Sequence, residues 1–316
     1  MIGKESRQEE LAAWGIEHKP GVLDRIDAEI DWRRFEKPLR KVFKDSGRGR
    51  KSYPPVALFK VLLLQQWYGL SDPMAEEAIG DRLSFRRFLG LGLHDAVPDE
   101  TTICRFRGRL AEKRLADRLL GELNRQLDDK GLLVKRGTLV DASLIEAQSR
   151  PPRKEQPTTK DPDADWTVKR GTPTYGYKLH LGVDQMSGLI RKAELTPAST
   201  HDSRVLEPLL SGDELAVYAD KAYDAKARRK RMKARGVFDG ILKQARRNTP
   251  LTQWERNWNR YLSAVRSPVE RVFGTLKRSY GFRRAAYVGL ARNRNHALLL
   301  CMAFNLRKMV QLHPVS

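Results

Sequence analysis

The sequence predicts a helical first part followed by a mixed α/β part, and three observations predict it. Between residues 55 and 110, apolar side chains recur at helical spacing in short runs broken by Gly and Pro. From about residue 131 the runs become strand-like, in "GTLVDASLIEA", "YGYKLHLGVD" and "LIRKAELTP". Strand- and helix-like segments then alternate, as in a mixed sheet flanked by helices. The expected division is 1–130, all helical, and 131–316, α/β.

Residues 1–50 are weakly patterned and end in a basic, glycine-containing link, "KDSGRGRKSYPP". "PVALFKVLLLQQWYG" reads as a helix stopped at Gly69. "LSDPMAEEAIG" offers Ser71 or Asp72 as N-cap, with Pro73 in the first turn. "SFRRFLGLG" reads as a third helix capped by Ser84. "VPDETTICRFRGRLAEKRL" reads as a fourth, started by Asp99. On it Ile103, Phe106 and Leu110 share one face, while Thr102, Arg105 and Arg109 share another. Short helices, tight turns and a last helix with an arginine face suggest a helix-turn-helix whose last helix enters a DNA groove. An ordinary bundle with a solvated arginine face is the alternative.

In the second part, the first two strands are separated by "QSRPPRKEQPTTKDPDADWTVKRGTPT", which reads as a loop or a segment ordered by a ligand. After the third strand come a helix over about 202–211, a strand "LAVYAD", a basic helix "AKARRKRMKARG" and a strand "FDGILKQA". A Trp-rich helix, the stretch "YLSAVRSPVERVFGTLKRSYGFRR" and an apolar helix "NRNHALLLCMAFNLRKMV" close the chain.

The 316 residues carry a net charge of +21, which points to a polyanion, nucleic acid before membrane. Charge is uneven: residues 221–247 hold 11 basic and 2 acidic side chains, and residues 266–294 hold 8 and 1. Two such runs beside candidate acids suggest a phosphate-binding surface. The apolar runs are too short to span a bilayer, and the start, "MIGKESRQEELAAW", lacks the apolar core of a signal peptide. Cys104 and Cys301 make no disulfide framework and read as reduced thiols packed as small hydrophobes. The expected location is cytoplasmic, on the nucleoid.

Three acids fall at telling places. Asp141 lies in the first strand, Asp220 ends "LAVYAD", and Glu270 is the one carboxylate in the basic stretch 261–284. Phosphodiester cleavage is helped by two divalent ions about 4 Å apart that clamp the attacking and leaving oxygens. Mg²⁺ takes oxygen ligands and keeps several waters, so a few carboxylates suffice. Two acids at strand ends plus one from a helix laid across the sheet would provide them, with basic neighbours gripping the DNA backbone. The plainer readings are a strand-edge Asp and an N-cap. Glu146, five residues from Asp141, falls on the opposite strand face; Asp184, Asp202 and Asp224 could be supporting or capping groups.

These residues resemble the DDE transposases of bacterial insertion sequences, of the IS-five type. The resemblance rests on "YPPVALFKVLLLQQWYGLSDPMAEEAIGDRLSFRRFLGL", "PDETTICRFRGRL", "LVDASLIEA", "YGYKLHLGVD", "TPASTHDSRVLEPLL", "YADKAYD" and "RSPVERVFGTLKRSYGFRRA", in this order over about residues 50–305. It implies an RNase H-like mixed sheet flanked by helices, after an all-α helix-turn-helix-like domain. It also implies that Asp141, Asp220 and Glu270 form a metal-holding catalytic triad. The ions would be two Mg²⁺, with Mn²⁺ as a substitute. The family's Tyr, Arg, Glu, Lys signature matches at Arg266, Glu270 and Lys277, whereas its Tyr would fall at Ser263. Arg266 and Lys277 are expected to contact terminal phosphates, and Arg278, Arg283 and Arg284 to extend that DNA contact.

The implied activity is recognition of terminal inverted repeats, metal-dependent cleavage at the element ends, and joining of the 3′-OH ends to target DNA by a homodimer or larger assembly. A non-catalytic DNA-binding regulator and a nuclease without strand transfer are the rivals. Trp254, Trp258 and Tyr261 form a stripe at i, i+4, i+7, expected to pack on the catalytic core, or else to wedge into distorted DNA. His180, His201 and His296 are expected in structural or phosphate-contacting roles.

Overall fold

The computed structural model describes residues 20–42, 53–152, 160–169, 171–246 and 249–313. The polar start and most of the "KDSGRGRKSYPP" link lie outside them. The chain divides into two units, Met1–Arg107 with His313–Ser316, and Gly108–Leu312. The boundary between these units falls at 107/108, inside a helix.

In the first unit α1 (Val22–Glu29) buries Leu23 and Ile26, and a 3-10 turn (Trp32–Phe35) leads into α2 (Glu36–Arg40). α3 (Pro55–Tyr68) is apolar on nearly every side and accordingly buried on nearly every side. Gly69 ends it at φ 64°, a left-handed position. Its one lysine, Lys60, is buried: Nζ pairs with Asp27 and donates to Phe88 O at 2.7 Å. α4 (Asp72–Asp81) is capped by Ser71, whose hydroxyl accepts from Met74 N at 3.4 Å. α5 (Leu83–Leu89) starts one residue before Ser84, so Ser84 is not its cap; Arg82 precedes it without a side-chain bond. α6 (Glu100–Glu112) begins as expected, with Asp99 Oδ1 accepting from Thr102 N at 2.8 Å. Two α4 acids hold it: Glu76 Oε2 accepts from Glu100 N at 2.8 Å, and Asp72 pairs with Arg107.

The second unit takes in the end of α6 and continues with α7 (Ala116–Asp129), a helix the sequence reading did not separate. Leu119, Leu123 and Leu127 form its buried stripe, and Asn124 Nδ2 donates to Arg191 O at 2.9 Å. The strands are β1 (Thr138–Glu146), β2 (Asp165–Lys169), β3 (Thr172–Asp184), β4 (Ile190–Pro197), β5 (Ala216–Ala219) and β6 (Phe238–Ile241). They form one six-stranded mixed sheet in the order β2-β3-β1-β5-β6, with β4 on β3. β1, β3 and β4 are antiparallel neighbours, whereas β1–β5 and β5–β6 are parallel. This is the RNase H-like arrangement the resemblance implies.

β2 lies inside the expected loop, where Trp166 and Val168 alternate opposite Tyr175 and Pro173. The helix expected over 202–211 is instead two 3-10 turns, Asp202–Arg204 and Glu207–Leu209. Pro208 removes an amide donor and disfavours helical geometry at Glu207. α8 (Lys226–Ala234) covers a core of Val140, Val217, Ala219, Tyr223 and Ile241. The Trp-rich segment and the basic stretch after it are one helix, α9 (Gln253–Arg278). A reciprocal pair starts it: Thr252 Oγ1 accepts from Glu255 N at 3.2 Å, and Glu255 Oε2 accepts from Thr252 N at 3.0 Å. α10 (Leu290–Leu312) packs on β4 and α7. Cys301 is buried in it, whereas Cys104 on α6 is exposed, so only Cys301 is packed as expected.

Candidate active site

The site is set by strand register. β1 and β5 run parallel, with Val140 opposite Ala219. The next residue along each strand direction is Asp141 on β1 and Asp220 just past β5, so the two acids stand at one level. Asp220 also caps the 3-10 turn Lys221–Tyr223, its Oδ1 accepting from Lys221 N at 2.7 Å. The capping alternative and the paired-acid reading therefore both apply to it.

Both carboxylates face one guanidinium. Arg266 lies 3.6 Å from Asp141 and 4.0 Å from Asp220, beyond hydrogen-bond reach of either. Its side chain is only 12% exposed, and its Nε has no hydrogen-bond partner among the described residues. Burial pushes the Asp141 carboxyl above its ordinary range. The Arg266 charge, the Ala142 amide and Lys169 pull the other way, and Asp220 adds to the rise. Two acids held side by side, one of them desolvated, need positive charge between them.

The third acid stands apart from this pair. Glu270 follows Arg266 by one turn on the same stripe of α9 and is exposed. Among the described residues no three Asp, Glu, His or Cys side chains are gathered closely enough to hold a metal. The donor chemistry nevertheless fits a hard divalent cation. Two carboxylates converge on positive charge without hydrogen-bonding it, and a third lies within the same helical stripe.

The other expected DNA contacts divide into two groups. Lys277 turns inward, its Nζ donating to Leu144 O on β1 at 2.7 Å. Burial, then the nearby Lys169 and Arg283 charges, lower its pKa. Arg284 is also spent on the protein, donating to Ala147 O at 3.0 Å and Gln148 O at 2.8 Å. Arg278 and Arg283 are exposed, as are Arg105 and Arg109 on α6. The Thr102 hydroxyl donates to Asp99 Oδ2 at 3.0 Å, so its first partner is the helix cap.

Part of the basic run 221–247 is internal too. Arg228 donates to Tyr223 O and to Ser203 O at 2.7 Å, pinning the turn that follows Asp220. Arg229 pairs with Asp224 and Asp239 and donates to Ile241 O at 3.0 Å. Asp184 builds the β3–β4 turn, accepting from Ser187 N at 2.9 Å and Lys135 N at 2.8 Å.

Sequence reasoning missed Lys169, whose charge reaches Asp141 from β2; the Trp166–Val168 alternation was the available signal. It also missed Lys178, which donates to Asp202 at 2.8 Å. Tyr223 is a further surprise: its hydroxyl is buried without a hydrogen-bond partner among the described residues. Burial, then the Asp202 and Asp141 charges, push its pKa up. His180 is buried, with Nε2 2.9 Å from Thr196 Oγ1, and burial lowers its pKa to about 4, against the opposing pull of Asp202. His201 Nδ1 lies 2.7 Å from Ser203 Oγ, and His296 packs edge-on to Phe282 and Tyr287.

The aromatic stripe of α9 stacks upon itself, Trp254 on Trp258 and Trp258 on Tyr261, with centroids 5.8 and 5.4 Å apart. Trp258 is partly buried and meets the Phe238 ring edge-on, whereas Phe238, Trp254 and Tyr261 are all exposed, so the stripe packs on itself and on an exposed ring of β6.

Among the described residues no helix is long and apolar enough to cross a membrane. Comparison with known families matches residues 133–306 to the transposase DDE domain and residues 15–109 to a second transposase domain. No solved structure matches the chain.

Proposed function

The chain belongs to the DDE transposase family, and on that premise we propose that it moves an insertion sequence of the IS-five type. It binds the terminal inverted repeats, cleaves at the element ends and joins the freed 3′-OH ends to target DNA, on bacterial DNA in the cytoplasm. Two ends must be held together, so it works as a dimer or larger assembly.

The observation that carries this reading is the acid pair, Asp141 and Asp220, side by side and facing a single buried cation. Asp141, Asp220 and Glu270 would hold Mg²⁺, or Mn²⁺ in its place. Held there, such a cation would supply activation of water or a 3′-OH and stabilisation of charge on the phosphate. The protein's own part is positioning. Strand register sets the two aspartates at one level. Arg266 offsets their mutual repulsion in the absence of other cations. Lys277 fastens α9, and with it Glu270, to the end of β1. On α6, Arg105 and Arg109 reach DNA; Thr102 lies beside them. Arg278 and Arg283 grip backbone near the acids.

One observation favours the rival DNA-binding regulator: Glu270 stands outside the acid pair. An end-cleavage and strand-transfer assay decides. Purified protein is given terminal-repeat DNA and a target plasmid, with Mg²⁺ or with EDTA, beside an Asp220→Asn variant. Metal-dependent cleavage and joined products, both lost in the variant, are expected. Specific end binding without cleavage in Mg²⁺ would leave the regulator.

A further inference from the structure

On the other side of α9 from the acid pair lies a cleft of about 500 Å³, bounded by α9, α10 and the β3–β4 turn. Arg271, Thr275 and Ser279 line it at i, i+4, i+8. Thr275 lies nine residues from Arg266, which is about half a rotation of the helix, so this stripe is turned away from Arg266, Glu270 and Lys277. α10 contributes Arg307, Lys308 and Gln311. Three cations, hydroxyls and an amide thus converge, and among the described lining residues none is acidic.

That last feature separates it from the other basic recesses. The cleft beside α7 holds Arg125, Lys135 and Arg191, but also Asp128 and Asp213, which pair with Lys135 and Arg191. The recess over α8 holds Arg228 and Arg231 beside Glu207 and Glu214, and Arg231 pairs with Glu207 at 2.7 Å. In those places the positive charge is answered from within. The described lining of the α9–α10 cleft holds no carboxylate, and burial raises the pKa of the half-buried Tyr280 there against the opposing pull of the nearby Arg307 charge.

We propose that the α9–α10 cleft seats the phosphodiester backbone of the target DNA. The proposal rests on the transposase reading, because joining requires a second DNA to be held while an element end occupies the acid side. Cations with hydroxyl and amide donors suit phosphate oxygens and carry no base preference, as a target site of broad sequence would need. One helix then separates the two DNAs: its inner stripe carries the acid, and its outer stripe the cations.

The test is an Arg271→Gln, Arg307→Gln, Lys308→Gln triple variant of the full chain, checked for an unchanged melting temperature. Binding and cleavage of a labelled terminal-repeat duplex should stay within about twofold of wild type. Joined product should fall about tenfold or more and recover as plasmid concentration is raised. Binding to a random-sequence duplex should lose about 0.9 in log–log salt slope for each phosphate released. An equal fall in end binding would assign the cleft to the element end and overturn the proposal. An unchanged salt slope would overturn any DNA role. Should wild type yield no joined product, the strand-transfer reading fails; a reduced slope would then keep the cleft as a DNA-backbone site and remove its target assignment.

Discussion

Arg105 and Arg109 of α6 look like Arg266 and Lys277 of α9 in the sequence, and the fold uses the two pairs in opposite ways. On α6, Arg105 and Arg109 are exposed, across the helix from buried Ile103, Phe106 and Leu110. On α9, Arg266 is turned onto Asp141 and Asp220, and Lys277 onto a β1 carbonyl. The difference follows from the wheel position of each charge. Arg266 shares a stripe with buried Leu262, Val269 and Phe273, so packing the apolar side chains carries the guanidinium inward. Net charge tells how far cations outnumber anions, and the apolar stripe tells which way each one faces.

The largest effect tests the inward set. Replacing Asp141 or Asp220 with Asn should reduce end cleavage about a thousandfold, roughly 4 kcal/mol, while end binding stays near wild type. Gel assays of binding and cleavage on one terminal duplex check both. A variant that binds poorly would put the acids in DNA docking or folding and not in chemistry.

Arg266 comes next. Arg266→Gln should lower cleavage about a hundredfold and change end affinity by less than about twofold. The resemblance alone puts Arg266 on a terminal phosphate, and that role predicts the reverse, with affinity falling first. The same cycle therefore separates a residue that positions acids from one that grips DNA.

Legibility followed the same line. The mixed sheet, five of its strands and the long C-terminal helices could be read because period-2 and period-3.6 runs there are uninterrupted. β2 was hidden by Pro- and Lys-rich neighbours, and the 202–211 helix was overruled by Pro208. Asp141 and Asp220 could be found from strand ends. Their shared cation could not, because Arg266 is 46 residues from the nearer of them in sequence and meets both only once β1 and β5 pair.

A buried histidine gives a smaller effect, readable by pH alone. His180 is held neutral, its pKa lowered from 6.5 to about 4 by burial. A depressed folded pKa means that stability is complete above about pH 6.5 and is lost as pH falls toward 4, where the unfolded chain binds the proton first. Between pH 7.5 and 5 this should cost on the order of 2 kcal/mol. His180→Gln, which keeps a partner for Thr196, should flatten that part of the melting-temperature profile. An unchanged profile would mean that His180 is charged or exposed near neutrality.

The smallest effect belongs to the outward set and completes the comparison. Arg105→Ala and Arg109→Ala should leave the melting temperature unchanged, because neither side chain has a hydrogen bond or ion pair among the described contacts. Each should weaken end binding about fivefold at low salt and reduce the salt slope by about 0.9. A phosphate contact loses equally on terminal-repeat and random duplexes, whereas a base contact loses more on the repeat. If the two arginines differ in that ratio, α6 lies with one in the groove and the other on the rim. If neither variant loses affinity, the exposed face of α6 is a solvated surface, and exposure alone is no better a guide to DNA than net charge was.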